Sequence, residues 1–277
     1  MIDPSSDSLR AHENLCRLCG GALVTQFRLR VLGQHSVAYF RCESCHSLQT
    51  ERPYWLEQAY AANNLSSLDT GAAQRNLNNL AACWSIARLF GFRNVLDVGG
   101  GDGLLCRLLR DYGLNCFVRD KYASPTYAQG FETPDFTQPD MIVAFEVIEH
   151  YAEPHKDLDV LFARRPRAVL ASTGIFGAQG QDWWYLAPES GQHVFFYSRA
   201  ALQWIARAHE YELLIVSGYL LFLRQGVCST LKKVLSKALL KSGMRRFTKA
   251  RLAMSSAAGV WRDHQLQVER AKSRRSS

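Results

Sequence analysis

The sequence predicts an α/β protein: a doubly wound, mostly parallel sheet, with a small β module before it and a basic helical tail after it. Three observations carry that expectation. Apolar strand-like runs alternate with amphipathic helical stretches from Asn94 to Leu223. A glycine run, VLDVGGGDG (Val95–Gly103), follows the first of those strands, and two Cys-x-x-Cys pairs lie ahead of residue 52. With 277 residues, 47% of them hydrophobic, the chain can bury a core. No stretch reaches the roughly 20 apolar residues of a membrane span.

Residues 1–52 hold both cysteine pairs, and ALVTQFRLRVL and HSVAYFRC between them alternate like strands. From Tyr54 to Phe90, YWLEQAYAA and RNLNNLAACWSIARLF put apolar residues at helical spacing, with NNLSSLDTGAA breaking and restarting the helix. NVLDV is then a strand. GLLCRLLRDYG is a helix that turns Leu104, Leu105, Leu108, Leu109 and Tyr112 inward and stops at Gly113. LNCFVRD, DMIVAFEVIEH and RAVLAST are the next strands, and SRAALQWIARAHEYELLIVSGYLLFL adds a helix and the closing strands. From STLKKVLSKALLKSGMRRF onward the chain is helix-prone and basic, and it frays into ERAKSRRSS. The expected domains are 1–52, 53–225 and 226–277.

The net charge of +8 is a property of the tail: from Arg224 on there are 14 Lys/Arg against Asp263 and Glu269, which leaves the rest of the chain at −4. The tail's leucines and lysines at helical spacing suit an anionic membrane surface, with nucleic acid ranking behind that, or docking on the acidic body. The opening MIDPSSDSLRAHEN lacks the basic-then-apolar order of a signal peptide, which places the protein in the cytoplasm, peripheral to the membrane if the tail binds there. Eight cysteines in that setting read as thiols or metal ligands rather than disulfides, with Cys106 and Cys116 as small core residues.

In a doubly wound sheet, ligands bind outside the carboxyl ends of the strands, and a helix N-terminus there favours an anionic group. Here neither G-x-G-x-x-G nor G-x-x-x-x-G-K-[ST] is present. The pattern is Asp97-x-Gly99-x-Gly101-x-Gly103, and a second acid, Asp120, ends the next strand. Asp97 suits an ammonium, and Asp120 stands where such sheets place the acid that accepts bonds from ribose hydroxyls. An amino acid joined to a ribose without phosphate fits both, and S-adenosylmethionine is such a ligand.

With DMIVAFEVIEH downstream, these residues resemble the core of class I S-adenosylmethionine-dependent methyltransferases, over roughly residues 54–225. The chain is similar to bacterial members with an N-terminal zinc-binding module, in which YWLEQAY, LDTG, RN, RDYG, DKYA and GQHVFFYS have counterparts. The resemblance implies a Rossmann-like sheet of seven strands with a zinc-ribbon-like module. It also implies methyl transfer to a hydroxyl or carbon of a small molecule, a sugar or glycan precursor. Gly100 stands where many relatives have Cys or another small residue, a harmless difference on this reading.

Glu146, Glu149 and His150 share one face if the chain turns helically after the third strand. Two carboxylates and an imidazole could hold a hard divalent ion such as Mg2+; without metal, His150 or His193 could take a proton from an acceptor hydroxyl, while Glu146 touches the donor's amino group through water. The same E-x-x-E-H pattern occurs in ubiquinone-type O-methyltransferases and in small-RNA 2′-O-methyltransferases, which carry a further histidine where this chain has His193. RNA ribose methylation with a divalent ion at Glu146, Glu149, His150 and His193 is therefore the second reading. A donor-binding interaction module without turnover is the third. Trp183, Trp184 and Tyr185 could stack on a sugar or base, or form a lid.

Cys16-x-x-Cys19-Gly20 and Cys42-x-x-Cys45 match a four-thiolate structural zinc site, closed to substrate and supplying stability that so small a module cannot draw from burial.

Overall fold

The structure is a computed structural model that describes residues 15–61 and 69–275. The opening MIDPSSDSLRAHEN and the NNLSSL part of the helix break lie outside those residues. The chain forms two compact units, each assembled from separated segments.

The first unit comprises the chain up to Thr70, Glu146–Ala163 and Thr173–Leu213. Its sheet is antiparallel, in the order β1 (Leu23–Val31), β2 (His35–Cys42), β3 (Leu48–Thr50), β8 (Phe195–Phe196). Alternation in β1 turns Phe27 and Leu29 toward a core of Val31, Tyr39, Leu48, Trp55, Tyr185 and Phe196. Helix α1 (Leu56–Ala61) adds Ala59 to it, and Trp55 Nε1 donates to Gly191 O at 2.8 Å. Residues 15–52 thus close their core on residues 176–196, which are distant in sequence. For this reason the compact units do not follow the sequential boundaries read at 52 and 225. Helices α4 (Pro154–Ala163) and α5 (Arg199–Ala208) complete the unit, α5 starting at Ser198, whose Oγ accepts from Ala201 N–H.

The second unit comprises Gly71–Phe145, Arg164–Ser172 and the chain from Leu214 on. Its sheet has the order β5 (Asn115–Arg119), β4 (Asn94–Val98), β6 (Met141–Phe145), β7 (Ala168–Ser172), β10 (Tyr219–Arg224), β9 (Tyr211–Val216). The first four strands are parallel and β10 runs antiparallel to β7. Parallel strands covered on both faces read as continuous apolar runs, and Met141–Ala144 are all buried. Six strands are present among the described residues, against the seven implied by resemblance. The segment after β5 carries Pro125, Pro134 and Pro139 and runs through turns, joining the sheet edge through a Val118 N–H to Phe131 O bond of 2.9 Å.

Helix α2 (Ala72–Phe90) packs on α3 (Leu104–Asp111), and on α6 (Thr230–Leu239) and α7 (Ser242–Ala253) from the C-terminal region. The last helix, α8 (Ala258–Arg275), packs on α3. The fraying expected over ERAKSRRSS is corrected as far as Arg275, to which α8 runs; upstream, Leu240, Leu252 and Asp263 are buried. Among the described residues, no helix is long and apolar enough to cross a membrane.

Candidate functional site

In the second unit, β4 ends at Val98 and the glycine loop leads into α3. Gly99, Gly101 and Gly103 take φ of +67°, +56° and +81°, left-handed conformations that side chains disfavour. Gly101 N–H donates to Asp120 Oδ2 at 2.9 Å, and Asp120 Oδ1 accepts from Tyr122 and Ala123 N–H at 2.7 and 2.9 Å. Asp97 is 2% exposed and its Oδ2 has no partner. Burial, then the charge of Asp120, pushes the Asp97 carboxyl up to about 8. The structure therefore brings Asp97, the three glycines and Asp120 together. Of these residues Asp120 lines a cavity of about 430 Å³, together with Val118, Ala123, Pro125, Gln129 and Glu132.

A Cβ on Gly100 would lie 2.6 Å from both Asp97 Oδ2 and Val118 Cγ2. The loop backbone presses directly on the Asp97 carboxylate, and only glycine leaves it room.

In the first unit, Glu146 adopts φ +54°, a left-handed conformation uncommon for a residue with a side chain and a frequent mark of functional sites. A 3-10 turn over Ile148–His150 then buries Glu149 completely. The two carboxylates converge on one phenol: Tyr185 Oη is 2.9 Å from Glu146 Oε2 and 2.5 Å from Glu149 Oε1, with Thr173 Oγ1 at 3.3 Å. A phenol has one proton to give, so the second short contact calls for a carboxyl proton. Burial and the neighbouring Glu146 push Glu149 up to about 8, which makes it the holder of that proton.

His150 and His193 face each other edge-on, their ring centroids 5.0 Å apart. His193 Nδ1 is 2.7 Å from Tyr185 O, so it carries the hydrogen and Nε2 keeps the lone pair. His150 Nδ1 is 3.2 Å from Tyr60 Oη. Burial, then His193, lowers the His150 pKa to about 3, and burial lowers that of His193. Ligand atoms of Glu149, His150 and His193 all lie within 4.8 Å of one another. Glu149 Oε2 is buried without a partner, and two neutral imidazoles stand beside it. Glu146 is not in that set: its Oε2 sits on Tyr185. The donor types suit a first-row divalent ion such as Mn2+ better than Mg2+, which takes oxygen ligands.

The four sequence-paired cysteines also lie within 4.8 Å of one another, with Cys16 and Cys45 sulfurs 3.7 Å apart and Cys19 and Cys42 sulfurs 3.5 Å apart. Tetrahedral zinc with Zn–S near 2.3 Å separates its sulfurs by about 3.8 Å, so the donor set fits. The hydrogen bond between Cys16 and Cys45 lowers the Cys45 thiol and raises that of Cys16. Between the first pair, the half-buried Arg17 donates to Val194 O at 2.7 Å, Ala152 O at 3.0 Å and Thr50 O at 3.1 Å, and desolvation lowers its pKa to about 10. Val194 N–H in turn donates to Glu149 O at 2.9 Å. The cysteine knuckle is thus tied to the backbone beside His193 and Glu149.

The aromatic stretch divides in role. Trp184 is 80% exposed, whereas Tyr185 is buried and Trp183 packs against Phe176, Tyr185 and Phe196. Tyr185 as the bridge between two carboxylates, Tyr60 on His150, and Arg17 were not foreseen. No local pattern announces the first two, while an arginine inside a cysteine knuckle was open to notice.

A family model described as a methyltransferase domain matches residues 67–216, more than half of the chain. A comparison with curated proteins found no match. Among solved structures, the chain is similar to magnesium protoporphyrin IX methyltransferase from Synechocystis PCC 6803 with bound SAH, at 14% identity and TM-score 0.45, over 63% of this chain and 98% of that one. It is similar to an O-methyltransferase family protein from Burkholderia thailandensis, at 15% identity and TM-score 0.46, over 61% and 60%. A 1,6-didemethyltoxoflavin-N1-methyltransferase from the same organism is 13% identical with TM-score 0.46, over 71% and 97%.

Proposed function

The chain belongs to the methyltransferase-domain family, and from that membership we propose that it methylates a hydroxyl of a sugar or glycan precursor. The donor is S-adenosylmethionine. On this reading Asp97 accepts the donor's ammonium, the Gly99, Gly101 and Gly103 backbone lies against it, and Asp120 uses its remaining lone pairs for ribose hydroxyls. The observation that carries an oxygen acceptor is the Glu149, His150, His193 cluster, three buried or half-buried groups able to hold a cation or receive a proton. Methyl transfer is an in-line displacement. The acceptor oxygen bonds to the methyl carbon as the bond to sulfur breaks, so the chain supplies alignment and a destination for the acceptor's proton. A divalent ion on Glu149, His150 and His193 would lower the pKa of a bound hydroxyl. His193, its tautomer set by Tyr185 O, offers Nε2 toward that role, and Tyr185 holds Glu146 and Glu149 in place. Trp184 offers an exposed ring face for a sugar to stack on. Zinc on Cys16, Cys19, Cys42 and Cys45 is structural.

The second reading, ribose 2′-O-methylation at an RNA end, rests on His193 completing the cluster. An RNA acceptor would outcompete free sugars and sugar nucleotides there. A membrane partner is proposed for α6 and α7. Leu231, Val234, Leu235 and Phe247 are exposed among ten Lys/Arg, with no acid from Leu213 to Arg262. Vesicles containing anionic lipid should sediment the protein, and neutral vesicles should not.

The donor roles are tested by calorimetric titration of the zinc-loaded chain with S-adenosylhomocysteine. Micromolar binding lost in Asp97→Ala and Asp120→Ala supports them; equal binding by either variant refutes its assignment. For the cluster, Mn2+ titration by electron paramagnetic resonance should find one site that His193→Ala removes.

A further inference from the structure

Helix α8 reaches the segment between β5 and β6, which walls the cavity beside Asp120. Gln267 Nε2 donates to Gln129 O and Arg270 Nη1 to Gly130 O, each at 2.8 Å. Gly130 takes φ +83°, and a Cβ there would lie 2.8 Å from Gln267 Nε2. Backbone and helix are fitted to each other at this point. One residue on, the buried Phe131 ring lies under the Arg110 guanidinium at 3.6 Å, with Arg270 at 5.4 Å and Arg107 at 5.8 Å.

Arg110 is itself held by α8. Its Nε and Nη2 donate to Asp263 Oδ2 and Oδ1 at 2.6 and 2.9 Å, and Arg107 Nη2 donates to the same carboxylate at 2.7 Å. This two-pronged pair is buried, which fixes its geometry. Gly259 lets α8 come this close, since a Cβ there would sit 1.9 Å from Arg110 O. The far end of the segment bears on the glycine loop. Tyr127 N–H donates to Asp102 O at 2.9 Å, and a Cβ on Gly103 would lie 2.8 Å from Ala128 Cβ and 2.9 Å from Pro125 Cβ.

We propose that α8 is a clamp that sets the shape of the donor pocket, with Gln267 and Arg270 as positioning residues for residues 122–131. The proposal rests on the donor reading of Asp97, the glycine loop and Asp120. A segment of turns with few ladder bonds has many conformations open to it. A pocket wall that is formed only part of the time weakens apparent affinity by the fraction formed. The basic C-terminal region therefore contributes to donor affinity without touching the donor.

The test uses the full zinc-loaded chain carrying Gln267→Ala and Arg270→Ala together, with Glu269→Ala on the exposed face of the same helix as control. Amide exchange in residues 122–131 is read without ligand, and S-adenosylhomocysteine affinity by calorimetry. Exchange there should rise at least tenfold and the Kd by about tenfold, with the control unchanged and the melting temperature of the double variant within a few degrees. Arg270→Lys, which keeps one donor, should fall between. In turnover, KM for the donor should rise while kcat at saturation holds. Unchanged exchange in 122–131 overturns the clamp whether or not the donor binds. Faster exchange with unchanged affinity overturns its role in the pocket. Absence of binding in the unsubstituted chain would overturn the donor reading, and with it the role assigned to the clamp.

Discussion

Donor binding should pull a proton off Asp97, and the size of that effect follows from its burial. Asp97 Oδ2 has no partner, and burial with the Asp120 charge raises the carboxyl to about 8. At pH 7 about one molecule in ten then has Asp97 ionised, and ionising the rest costs about 1.4 kcal/mol. If the ammonium of the ligand binds only the carboxylate, apparent affinity gains up to tenfold per pH unit below 8. The Kd of S-adenosylhomocysteine should fall about fiftyfold between pH 6 and pH 8, then level off. About 0.9 proton should be released per ligand at pH 7. The sign for the unliganded protein is opposite. The native chain keeps a proton that the unfolded chain has lost above pH 4, so stability falls as pH rises from about 4 to 8. The assay is calorimetry in phosphate and Tris, whose ionisation enthalpies differ, across this range. A Kd flat from pH 6 to 8, with no dependence on buffer, would refute the assignment. Asp97→Asn should abolish both the proton release and most of the affinity.

Gly100→Ala should destabilise the protein by about 1–3 kcal/mol in urea unfolding and weaken donor binding, because its Cβ would need the space 2.6 Å from Asp97 Oδ2 and Val118 Cγ2. A fully stable variant would show that the loop has room to shift. One zinc per chain is expected by elemental analysis. Its removal by a chelator, or Cys16→Ser, should lower the melting temperature and loosen residues 193–196, which Arg17 ties to the knuckle through Val194 O. Exchange at those amides reads the second effect. Burial alone would raise the Asp263 carboxyl, but Arg110 and Arg107 outweigh it and hold it at about 2. The pair thus contributes about 2 kcal/mol above pH 4, lost as pH falls from 4 toward 2. Asp263→Asn should be less stable than the parent at pH 7 by at least that amount, a difference that shrinks as pH falls from 4 toward 2.

Much of the second unit was legible because its signals are local. Parallel buried strands leave unbroken apolar runs such as MIVAF, and the spacing from Asp97 to Gly103 follows from a strand feeding a helix through a tight turn. The cysteine pairs were legible for the same reason. What was not legible depends on residues far apart. Pairing of β3 with β8 joins Leu48 to Phe196, so no composition break near residue 52 could mark a boundary between compact units. Tyr185 looked like a stacking surface, and only the positions of Glu146 and Glu149 turn its hydroxyl into a bridge. The tail's charge count concealed Asp263 and Gly259, two residues that decide where α8 docks. Among the described residues the stretch between β5 and β6 forms no strand, and its three prolines argue against a ladder there.

The proposed methyl transfer to oxygen at the Glu149, His150 and His193 cluster can be read from the product. The zinc-loaded chain is given methyl-labelled S-adenosylmethionine with sugars, sugar nucleotides and an RNA oligonucleotide, with and without Mn2+. The label's position and the rate are then followed by mass spectrometry. Label is expected on a ring hydroxyl, with turnover at least a hundredfold lower in His193→Ala while donor binding stays within threefold. Label on nitrogen or carbon, or turnover indifferent to both His150→Ala and His193→Ala, would contradict it.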